Sequence, residues 1–505
     1  MRRLGRWPHR PGLPDAGSRR HDSESRGNAE VTRQADLLVL GAGPAGTEAA
    51  LAASEAGLDV VLIDEQADAG GQGWRAPLSG LTLPRKGPDA EAGDALRARL
   101  AASRVDRRFG RRVWSIGGAF RLDAAGPDGP EAYQAPRLIA ATGAHERVVP
   151  FPGWTLPGVI GLAGATVLLK AQAVLPGRRV VVAGSGPLLF AVAAGIIAKG
   201  GEVAAIVDMD NRLAWAKRLP GLARRFDLLK EGLGWTWSIL GARVPFLAGY
   251  GVRRATGETE LSSVIVGPVD ANGAPADGTE RSFDCDALAV GHGLVPGGEV
   301  PKILRADHFY DRLRGGFIPE LDPFGRTTIE NLYACGDGTG IRGARPSAAA
   351  GRLAGLAAAY DAERLDERTF DALAALSLKA LADYRPFADT VAAAMALRPA
   401  QVAAITPETI VCRCEDVTRA EIDAAVDAGA GDINQMKHFT RCGMGPCQGR
   451  MCGDVAAELV AQRRGVPRDE VGFWTQRVPL RPVPFDTMIG TFDYADIPIP
   501  PPAPL

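Results

Sequence analysis

Four of the seven cysteines form two close pairs near the C-terminus, Cys412-Arg413-Cys414 and Cys442-Gly-Met-Gly-Pro-Cys447. In a long chain, thiols spaced this closely are more often metal ligands than disulfide partners. Structural zinc sites usually draw on C-x2-C pairs, whereas a Cys-x-Cys pair followed about 30 residues later by a second pair favours a [2Fe–2S] cluster. We therefore predict that Cys412, Cys414, Cys442 and Cys447 hold such a cluster, which moves single electrons.

A fifth cysteine follows this set. Cys452 lies five residues after Cys447 and could replace one of the four ligands, but a thiol buried in a helix is the preferred interpretation. Several basic residues lie near the cysteines in the sequence. They either raise the reduction potential of a bound cluster or form an ordinary solvated surface. They are Arg413, Lys437, Arg441 and Arg450.

The second motif is a dinucleotide fingerprint. An apolar strand over residues 35–40 runs into Gly41-Ala42-Gly43-Pro44-Ala45-Gly46, and a helix and a second strand follow. In this context the glycines permit a tight turn, close approach of a pyrophosphate and close packing of helix on strand. The helix N-terminus would face the phosphates with free N–H groups.

The acidic residue that binds the ribose is one of two neighbours. The second strand ends in Asp64-Glu65. The spacing from Gly41 favours Asp64, whereas the following Gly70-Gly71-Gln72 favours Glu65. Both carboxylates and Gln72 therefore stay candidates for cofactor binding.

Two later strand ends indicate which dinucleotide binds. One strand enters the turn Thr142-Gly143, and another ends in Gly336-Asp337 before a helix of small residues. With these motifs the chain resembles the two-dinucleotide-domain flavoproteins, the fold of glutathione and thioredoxin reductases. The resemblance implies an α/β fold with two Rossmann-like domains, FAD at the first fingerprint, and Asp337 holding the ribityl chain or pyrophosphate.

A second unit of the same type begins at residue 179. Its strand leads into Gly184-Ser-Gly186-Pro-Leu-Leu189, and a later strand ends in Asp208. In the family this inserted domain binds NAD(P)H, and Asp208 would favour NAD(H) because a carboxylate repels a 2′-phosphate. Leu189 replaces the third glycine, which counts against nucleotide binding. The alternative is a retained scaffold, or a domain that holds another adenine nucleotide without a catalytic role.

Thiol–disulfide chemistry at the flavin is not expected. No cysteine precedes Cys285, and Cys285 and Cys335 each stand alone in the sequence. The six histidines are scattered, and none has neighbours that suggest a general base. The lack of acid–base machinery is consistent with electron transfer, in which bound cofactors carry the chemistry.

Three segments together carry a closer resemblance. They are residues 148–158 (VVPFPGWTLPG), the Gly184 turn, and residues 440–452 (TRCGMGPCQGRMC). They resemble the A subunits of opine oxidases, of the hydrogen cyanide synthase complex and of related amino-acid or sarcosine dehydrogenases. The cysteine region itself resembles bacterioferritin-associated ferredoxin, a small helical domain.

This resemblance implies an FAD- and [2Fe–2S]-containing electron-transfer subunit. A partner flavoprotein subunit would oxidise a C–N bond of an amine or amino acid, and some relatives hold FMN at the subunit interface. A self-contained NADH-dependent flavin and iron–sulfur reductase is the main alternative. A non-catalytic assembly or iron-sensing protein is the weaker one. Neither the substrate nor the electron acceptor follows from the sequence.

Composition sets the remaining bounds. The 505 residues are 46% hydrophobic with a net charge of −1, which gives no electrostatic basis for binding nucleic acid. No run of about 20 apolar residues predicts a transmembrane span, and we expect a cytoplasmic protein. We predict a disordered basic leader (1–33), a discontinuous FAD domain (34–155 and 291–368), an inserted NAD(P)-binding-like domain (156–290), a helical linker (369–404), the cluster domain (405–465) and a Pro-rich extended tail (466–505).

Overall fold

The computed structural model describes residues 31–81 and 87–489. Most of the predicted leader and the end of the predicted tail therefore lie outside the described residues. Residues 31–33 form a strand with Gln34, so the leader was predicted to extend a few residues too far. None of the helices within these two ranges is long and apolar enough to cross a membrane.

The first part of the chain builds a strand–turn–helix–strand unit followed by a β-meander. Its elements are β1 (Val31–Gln34), β2 (Leu37–Leu40), α1 (Pro44–Glu55), β3 (Val60–Asp64), α2 (Pro88–Ala101), β4 (Asp106–Phe109), β5 (Arg112–Ile116), β6 (Arg121–Gly126), β7 (Gly129–Gln134), β8 (Leu138–Ala140) and β9 (Ala144–Glu146). Helix α1 begins at Pro44, inside the glycine fingerprint, because proline at the first helical position lacks only an N–H that would be unpaired there.

The second part repeats the alternation of strand and helix. Its elements are β10 (Val159–Gly161), α3 (Leu162–Val167), β11 (Arg179–Gly184), α4 (Leu188–Ala198), β12 (Glu202–Asp208), α5 (Arg212–Leu222), α6 (Phe226–Gly241), β13 (Phe246–Ala248), β14 (Tyr250–Thr256), β15 (Ser263–Pro268), β16 (Arg281–Asp284) and β17 (Ala287–Gly291). Strands β10, β17, β11, β12 and β13 form one parallel sheet in that order.

The chain then returns to the first unit. The returning elements are β18 (Leu294–Pro296), α7 (Glu299–Ile303), β19 (His308–Asp311), β20 (Gly316–Pro319), β21 (Leu332–Ala334) and α8 (Ala344–Asp361). Strand β21 completes a five-stranded parallel sheet in the order β21-β8-β2-β3-β4. Both faces of this sheet are covered, which explains why its strands are almost continuously apolar. The predicted α/β fold with two Rossmann-like domains is confirmed.

Helices α1 and α8 pack unusually close on one face of this sheet. A Cβ on Gly351 would overlap Ala45 O, and a Cβ on Gly355 would overlap Ala49 O. Two glycines four residues apart on α8 thus let its backbone approach that of α1. The close approach ties the fingerprint helix to the segment that follows Asp337.

Substitution of Gly351 by alanine is expected to destabilise the chain by about 1–3 kcal/mol, because the added methyl overpacks this contact. Gly234→Ala is the matched control: a Cβ at this position in α6 meets no atom within 4 Å. It should be neutral or stabilising by up to about 1 kcal/mol, as expected for Gly→Ala inside a helix. Thermal unfolding of the two variants checks the pair, and equal melting temperatures would contradict the close-packing argument.

The C-terminal part is helical and begins with a long linker. Its elements are α9 (Glu367–Met395), α10 (Pro399–Ala403), β22 (Ile410–Cys412), β23 (Val417–Thr418), α11 (Arg419–Asp427), α12 (Ile433–Thr440), α13 (Gly453–Arg464), α14 (Arg468–Val471) and α15 (Phe485–Ile489). Thr418 and Glu421 form a reciprocal capping box at the start of α11. The predicted boundaries at 368 and 405 fall at the start of α9 and just before β22.

The predicted tail is not uniformly extended. Val471 and Trp474 are buried in the same hydrophobic core as Cys412, Cys442 and Cys452. Residues beyond 465 therefore belong to the core of the cysteine region. Further on, Leu480 N donates to Trp114 O at 2.6 Å, and Arg450 donates to Leu480 O at 2.7 Å. This stretch of the tail therefore lies over the chain itself and joins the meander to the cysteine region.

One buried arginine joins the cysteine region to the first unit. Arg147 follows β9, and its side chain is 2% exposed. It donates to Asp454 at 2.7 Å and to the carbonyls of His292, Gly315 and Met395. Four segments distant in sequence are thus held by one guanidinium. No motif in the sequence indicates this role of Arg147.

Candidate functional site

The predicted FAD-binding residues meet at one edge of the first parallel sheet. Gly41 follows β2, Thr142 follows β8, Asp64 ends β3 and Asp337 follows β21. These strands are neighbours in the sheet and run in the same direction, so their carboxyl ends share an edge. Ligands of open α/β sheets bind at this edge.

The fingerprint glycines have the geometry that a dinucleotide requires. Gly41 has φ +104°, and a Cβ there would overlap Ala141 O. A Cβ on Gly46 would overlap Gly41 O, so this glycine allows α1 to pack on the turn. Gly43 faces open space, since the nearest atom to a Cβ there is Gly71 Cα at 3.8 Å. Its side-chain-free face and the uncapped N–H groups of α1 are suited to bind a phosphate, as the sequence predicts.

The structure separates the two ribose candidates. Asp64 accepts hydrogen bonds from Ala42 N at 2.5 Å and Gln66 N at 2.7 Å, so its carboxylate holds the fingerprint turn. Burial nevertheless raises the pKa of Asp64, against these hydrogen bonds. Glu65 is exposed, and its nearest cation is Arg112 Nε at 3.9 Å. Glu65 is therefore free to reach a ribose, while Asp64 shapes the turn.

The remaining candidates for the flavin site line the same edge. Thr142 donates to Gly297 O, and Gly143 O accepts from Gly297 N at 2.8 Å, which fixes the returning segment. Asp337 Oδ1 accepts from Arg342 N, Gly343 N and the Ser347 hydroxyl at the start of α8. Gly336, with φ +74°, lies against Ala45. Gln72 is exposed in the loop beyond Gly71.

The second fingerprint is covered by the linker. Gly184 has the positive φ of a tight turn, and Leu189, in the first turn of α4, is fully buried. The Met395 side chain from α9 lies against Gly186, 2.6 Å from where a Cβ would stand. Asp208 is fully buried and accepts from Asp210 N at 2.9 Å and Trp215 Nε1 at 2.7 Å. The groups predicted to bind a nucleotide here are thus engaged by the protein, and their role in binding stays a prediction.

Asp208 also carries a prediction about pH. Burial raises its pKa to about 7, against hydrogen bonds from Asp210 and Trp215 that lower it. Since the folded-state pKa lies above that of an unfolded aspartate, the native chain binds more protons, and stability falls as pH rises from about 4 to about 7. Asp208→Asn should make this slope shallower by up to about 1.4 kcal/mol per pH unit.

Denaturant unfolding at several pH values measures the slope. Glu202→Gln is the control, since its exposed carboxylate starts the same strand β12 and should leave the slope unchanged. If the free energy of unfolding changed with pH equally in the wild-type and Asp208→Asn chains, burial of Asp208 would not be the cause of the slope.

All five C-terminal cysteines converge. The sulfurs of Cys412, Cys442 and Cys452 lie within 4.8 Å of one another and all three residues are buried. Cys414 and Cys447 are half-buried beside them: the Cys414 sulfur accepts from the Cys447 backbone N–H. No disulfide links any of the seven cysteines in the part of the chain described. The predicted four residues therefore lie in the same region, and their role as ligands of one cluster stays a prediction.

Cys452 is buried at the start of a helix, as the preferred interpretation predicted, but it also lies against two of the predicted ligands. It is buried at the N-terminus of α13, but its sulfur faces Cys442 at 3.8 Å. Hydrogen bonds from the Cys442 and Cys452 thiols and from Gly443 N lower the pKa of Cys412 to about 2, against burial. The same contacts raise the pKa of the Cys442 and Cys452 thiols. Three sulfurs this close together, which would lose their protons on binding, are a donor set that suits a soft metal or an iron–sulfur cluster.

Glycines and one tryptophan complete the cysteine site. Side chains at Gly443, Gly449 or Gly453 would collide with the Trp474 ring, and one at Gly445 would overlap Cys414. The nearby cations have specific partners: Arg441 pairs with Glu415 at 2.8 Å and Arg450 with Glu299 at 2.7 Å. Arg413 lies over Trp154, and Lys437 over Trp474. These cations are thus not merely solvated, and two of them join the cysteine region to the rest of the chain.

Comparisons with known families divide the chain in the same way. Residues 35–360 match the pyridine nucleotide-disulphide oxidoreductase family. Residues 406–491 match the sarcosine oxidase A3 domain. The first match contains both dinucleotide units, and the second contains all five converging cysteines.

Curated relatives cover nearly the whole chain. It is 32% identical over 470 residues to the A subunit of opine oxidase from Rhizobium meliloti (strain 1021), covering 89% of this chain and 97% of that one. It is also 32% identical over 471 residues to the HcnB subunit of hydrogen cyanide synthase from Pseudomonas aeruginosa, covering 90% and 98%. The alpha subunit of sarcosine oxidase from Corynebacterium sp. (strain P-1) is 28% identical, with 45% of its length covered.

Solved structures agree on the fold. The crystal structure of L-proline dehydrogenase from P. horikoshii superposes with a TM-score of 0.67 at 21% identity, covering 91% of this chain and 81% of that one. At this level of identity the likeness concerns the fold alone. It extends over the dinucleotide units and much of the C-terminal region.

Proposed function

Because the chain belongs to the pyridine nucleotide-disulphide oxidoreductase family, and within it to the group that includes the A subunit of opine oxidase, we propose that it transfers electrons within an amine or amino-acid dehydrogenase complex. The chain is an FAD-dependent oxidoreductase. In our proposal FAD lies along Gly41–Gly46, Glu65 and Asp337, and a [2Fe–2S] cluster is held by four of the five converging cysteines.

The observation that carries this proposal is the short connection between the two sites. Thr142 and Gly143 lie at the dinucleotide edge, and β9 leads from them to Arg147. Arg147 then pairs with Asp454, which is two residues beyond Cys452. A few residues and one ion pair thus join the flavin candidates to the cysteine site. Electron transfer requires such proximity held rigidly.

The thiols outside the cysteine site support the same function. Burial raises the pKa of both Cys285 and Cys335 to about 12, so neither is a reactive thiolate. Disulfide reduction at the flavin is therefore not proposed. Bound FAD would exchange two electrons and a bound cluster one, and the residues of the two sites would bind, orient and shield them.

The substrate would be oxidised elsewhere in the complex. The relatives carry names of subunits, which implies hetero-oligomeric partners. Their names refer to opines, to sarcosine and to hydrogen cyanide. We propose a partner flavoprotein subunit that oxidises the C–N bond of an amine or amino acid, with FMN at the interface between the two chains as a further point to test.

A self-contained NADH-dependent reductase is the competing function. It requires NADH at Gly184 and Gly186 and a ribose acceptor at Asp208. The contact of Met395 with Gly186 and the burial of Asp208 weigh against it. An assembly or iron-sensing role would leave the fingerprint geometry of Gly41–Gly46 without purpose, and we rank it last.

Anaerobic titration of the purified chain tests the proposal. We expect flavin absorbance, about two irons per chain, and a reduced-cluster signal in electron paramagnetic resonance after dithionite. NADH should leave the flavin oxidised. Met395→Ala uncovers Gly186 and serves as a control: reduction by NADH in this variant alone would identify Met395 as the barrier. Rapid bleaching of the wild-type flavin by NADH would favour the competing reductase function. Absence of iron from the purified chain would refute the proposed cluster.

A further inference from the structure

A cavity of about 330 Å³ lies beside β21, at the free edge of the first parallel sheet. The β19–β20 hairpin, the loop before β21, helix α8 and helix α9 enclose it. Its wall is mainly apolar and includes Ile318, Phe324, Ala350, Leu353 and Leu381. None of the residues predicted to bind FAD lines it. Its volume is at the lower end of the range for small-molecule sites.

One charged side chain in this wall, that of Arg342, has no direct partner among the described residues. In the described part of the chain, no carboxylate, carbonyl or ring bonds to the guanidinium of Arg342, although its backbone N–H donates to Asp337. Burial lowers the pKa of Arg342, and the Arg314 guanidinium lowers it further. A partly buried cation without a partner is unfavourable in a folded protein.

The acidic groups around Arg342 are committed elsewhere. Asp322, also in the cavity wall, pairs with Arg326 at 2.9 Å and accepts from two backbone N–H groups. Asp337 accepts from the start of α8 through its Oδ1. Asp389 pairs with Arg385, a second cation that acts on Arg342. None of these carboxylates therefore forms an ion pair with the Arg342 head.

Arg314 reinforces this end of the cavity. Its stem packs on Gly340, and its Nε lies 3.5 Å from Asp311. An arginine with free donors presents a planar fork that matches a carboxylate. We propose that this cavity binds a small carboxylate with an apolar body, its carboxylate on Arg342 and its body against the α8 and α9 side chains. This site does not rest on the proposed electron-transfer function.

Calorimetric titration of the flavin-loaded chain with benzoate tests the proposal. Benzoate should bind, neutral benzamide should bind at least about tenfold more weakly, and Arg342→Gln should weaken benzoate by a similar factor. Arg352→Gln is the matched control, since this arginine lies on α8, shortly after Arg342, and pairs with Glu55 at the surface. It should leave benzoate binding unchanged. Flavin content must be equal in all chains.

Several outcomes would overturn the site. Equal affinity of the wild-type and Arg342→Gln chains for benzoate would show that Arg342 does not bind the carboxylate. Equal affinity of the wild-type chain for benzamide and benzoate would show that the ligand's charge is not recognised. Binding of inorganic phosphate but not of benzoate would contradict the claim that the ligand has an apolar body. Ala350→Leu fills the cavity while leaving Arg342 in place, and it keeps the test decisive if Arg342→Gln does not fold. Undiminished benzoate binding by this variant would also refute the proposal.

Discussion

If the proposed cluster is present, replacement of Cys412 by serine is expected to remove iron and acid-labile sulfide from the chain. Cys412 is the thiolate to which Gly443 N and the Cys442 and Cys452 thiols all point. A hydroxyl of similar size keeps the packing but is a poor ligand for a soft metal. Iron should fall from about two per chain to background, and the reduced-cluster signal should disappear. Flavin content should stay unchanged, because the dinucleotide cradle is a separate site.

Cys285→Ser is the matched control for this loss. Cys285 is also buried, but it lies in the second unit and has no other cysteine beside it. Its substitution should leave iron content at the wild-type level. Serine variants of Cys414, Cys442, Cys447 and Cys452 would then show which of the other thiols is dispensable. Retention of a full cluster by Cys412→Ser would contradict the convergence of these thiols on one cluster.

Replacement of Arg147 by methionine is expected to cost about 3–5 kcal/mol of stability, as when one partner of a buried ion pair is removed. Three carbonyls lose their donor, and Asp454 is left with Arg468 at 4.0 Å as its nearest cation. Because Arg147 positions the cysteine region, cluster reduction after photoreduction of the flavin should also slow. Flavin and iron contents, melting temperature and the rate of cluster reduction measure the effect.

The double variant Arg147→Met with Asp454→Leu separates charge from packing. It removes both charges and should recover part of the lost stability, since an uncompensated carboxylate is no longer buried. Arg413→Met is a peripheral control, because Arg413 also bridges to the cysteine region but is exposed. It should change stability by less than about 1 kcal/mol. A wild-type rate of cluster reduction in Arg147→Met would exclude a positioning role.

The first glycine fingerprint could be predicted because its parts are contiguous. Strand, glycine turn and helix follow one another within residues 37–55, so local propensity and spacing define them. The choice between Asp64 and Glu65 could not be made in this way. It depends on the direction of the Ala42 N–H, which only the folded turn fixes.

The features that the sequence did not reveal all depend on distant contacts. Cys452 is buried at a helix start as predicted, but its position against Cys412 and Cys442 depends on how α13 packs in the fold. Met395 covers Gly186 only because α9 crosses the second unit. Arg147 has partners 145 to 307 residues away. No periodicity or motif records such pairings.

The contacts of Arg147 also bear on how the chain folds as it is made. Asp454 lies 307 residues further along the chain, so at roughly 5–20 residues per second it leaves the ribosome about 15–60 s after Arg147. During that interval the nascent first unit holds a guanidinium whose counter-charge has not been synthesised. The first unit to emerge therefore reaches its final form only when the last one arrives. A truncation that removes the cysteine region would leave the flavin unit in this incomplete state, which favours expression of the full chain over that of isolated domains.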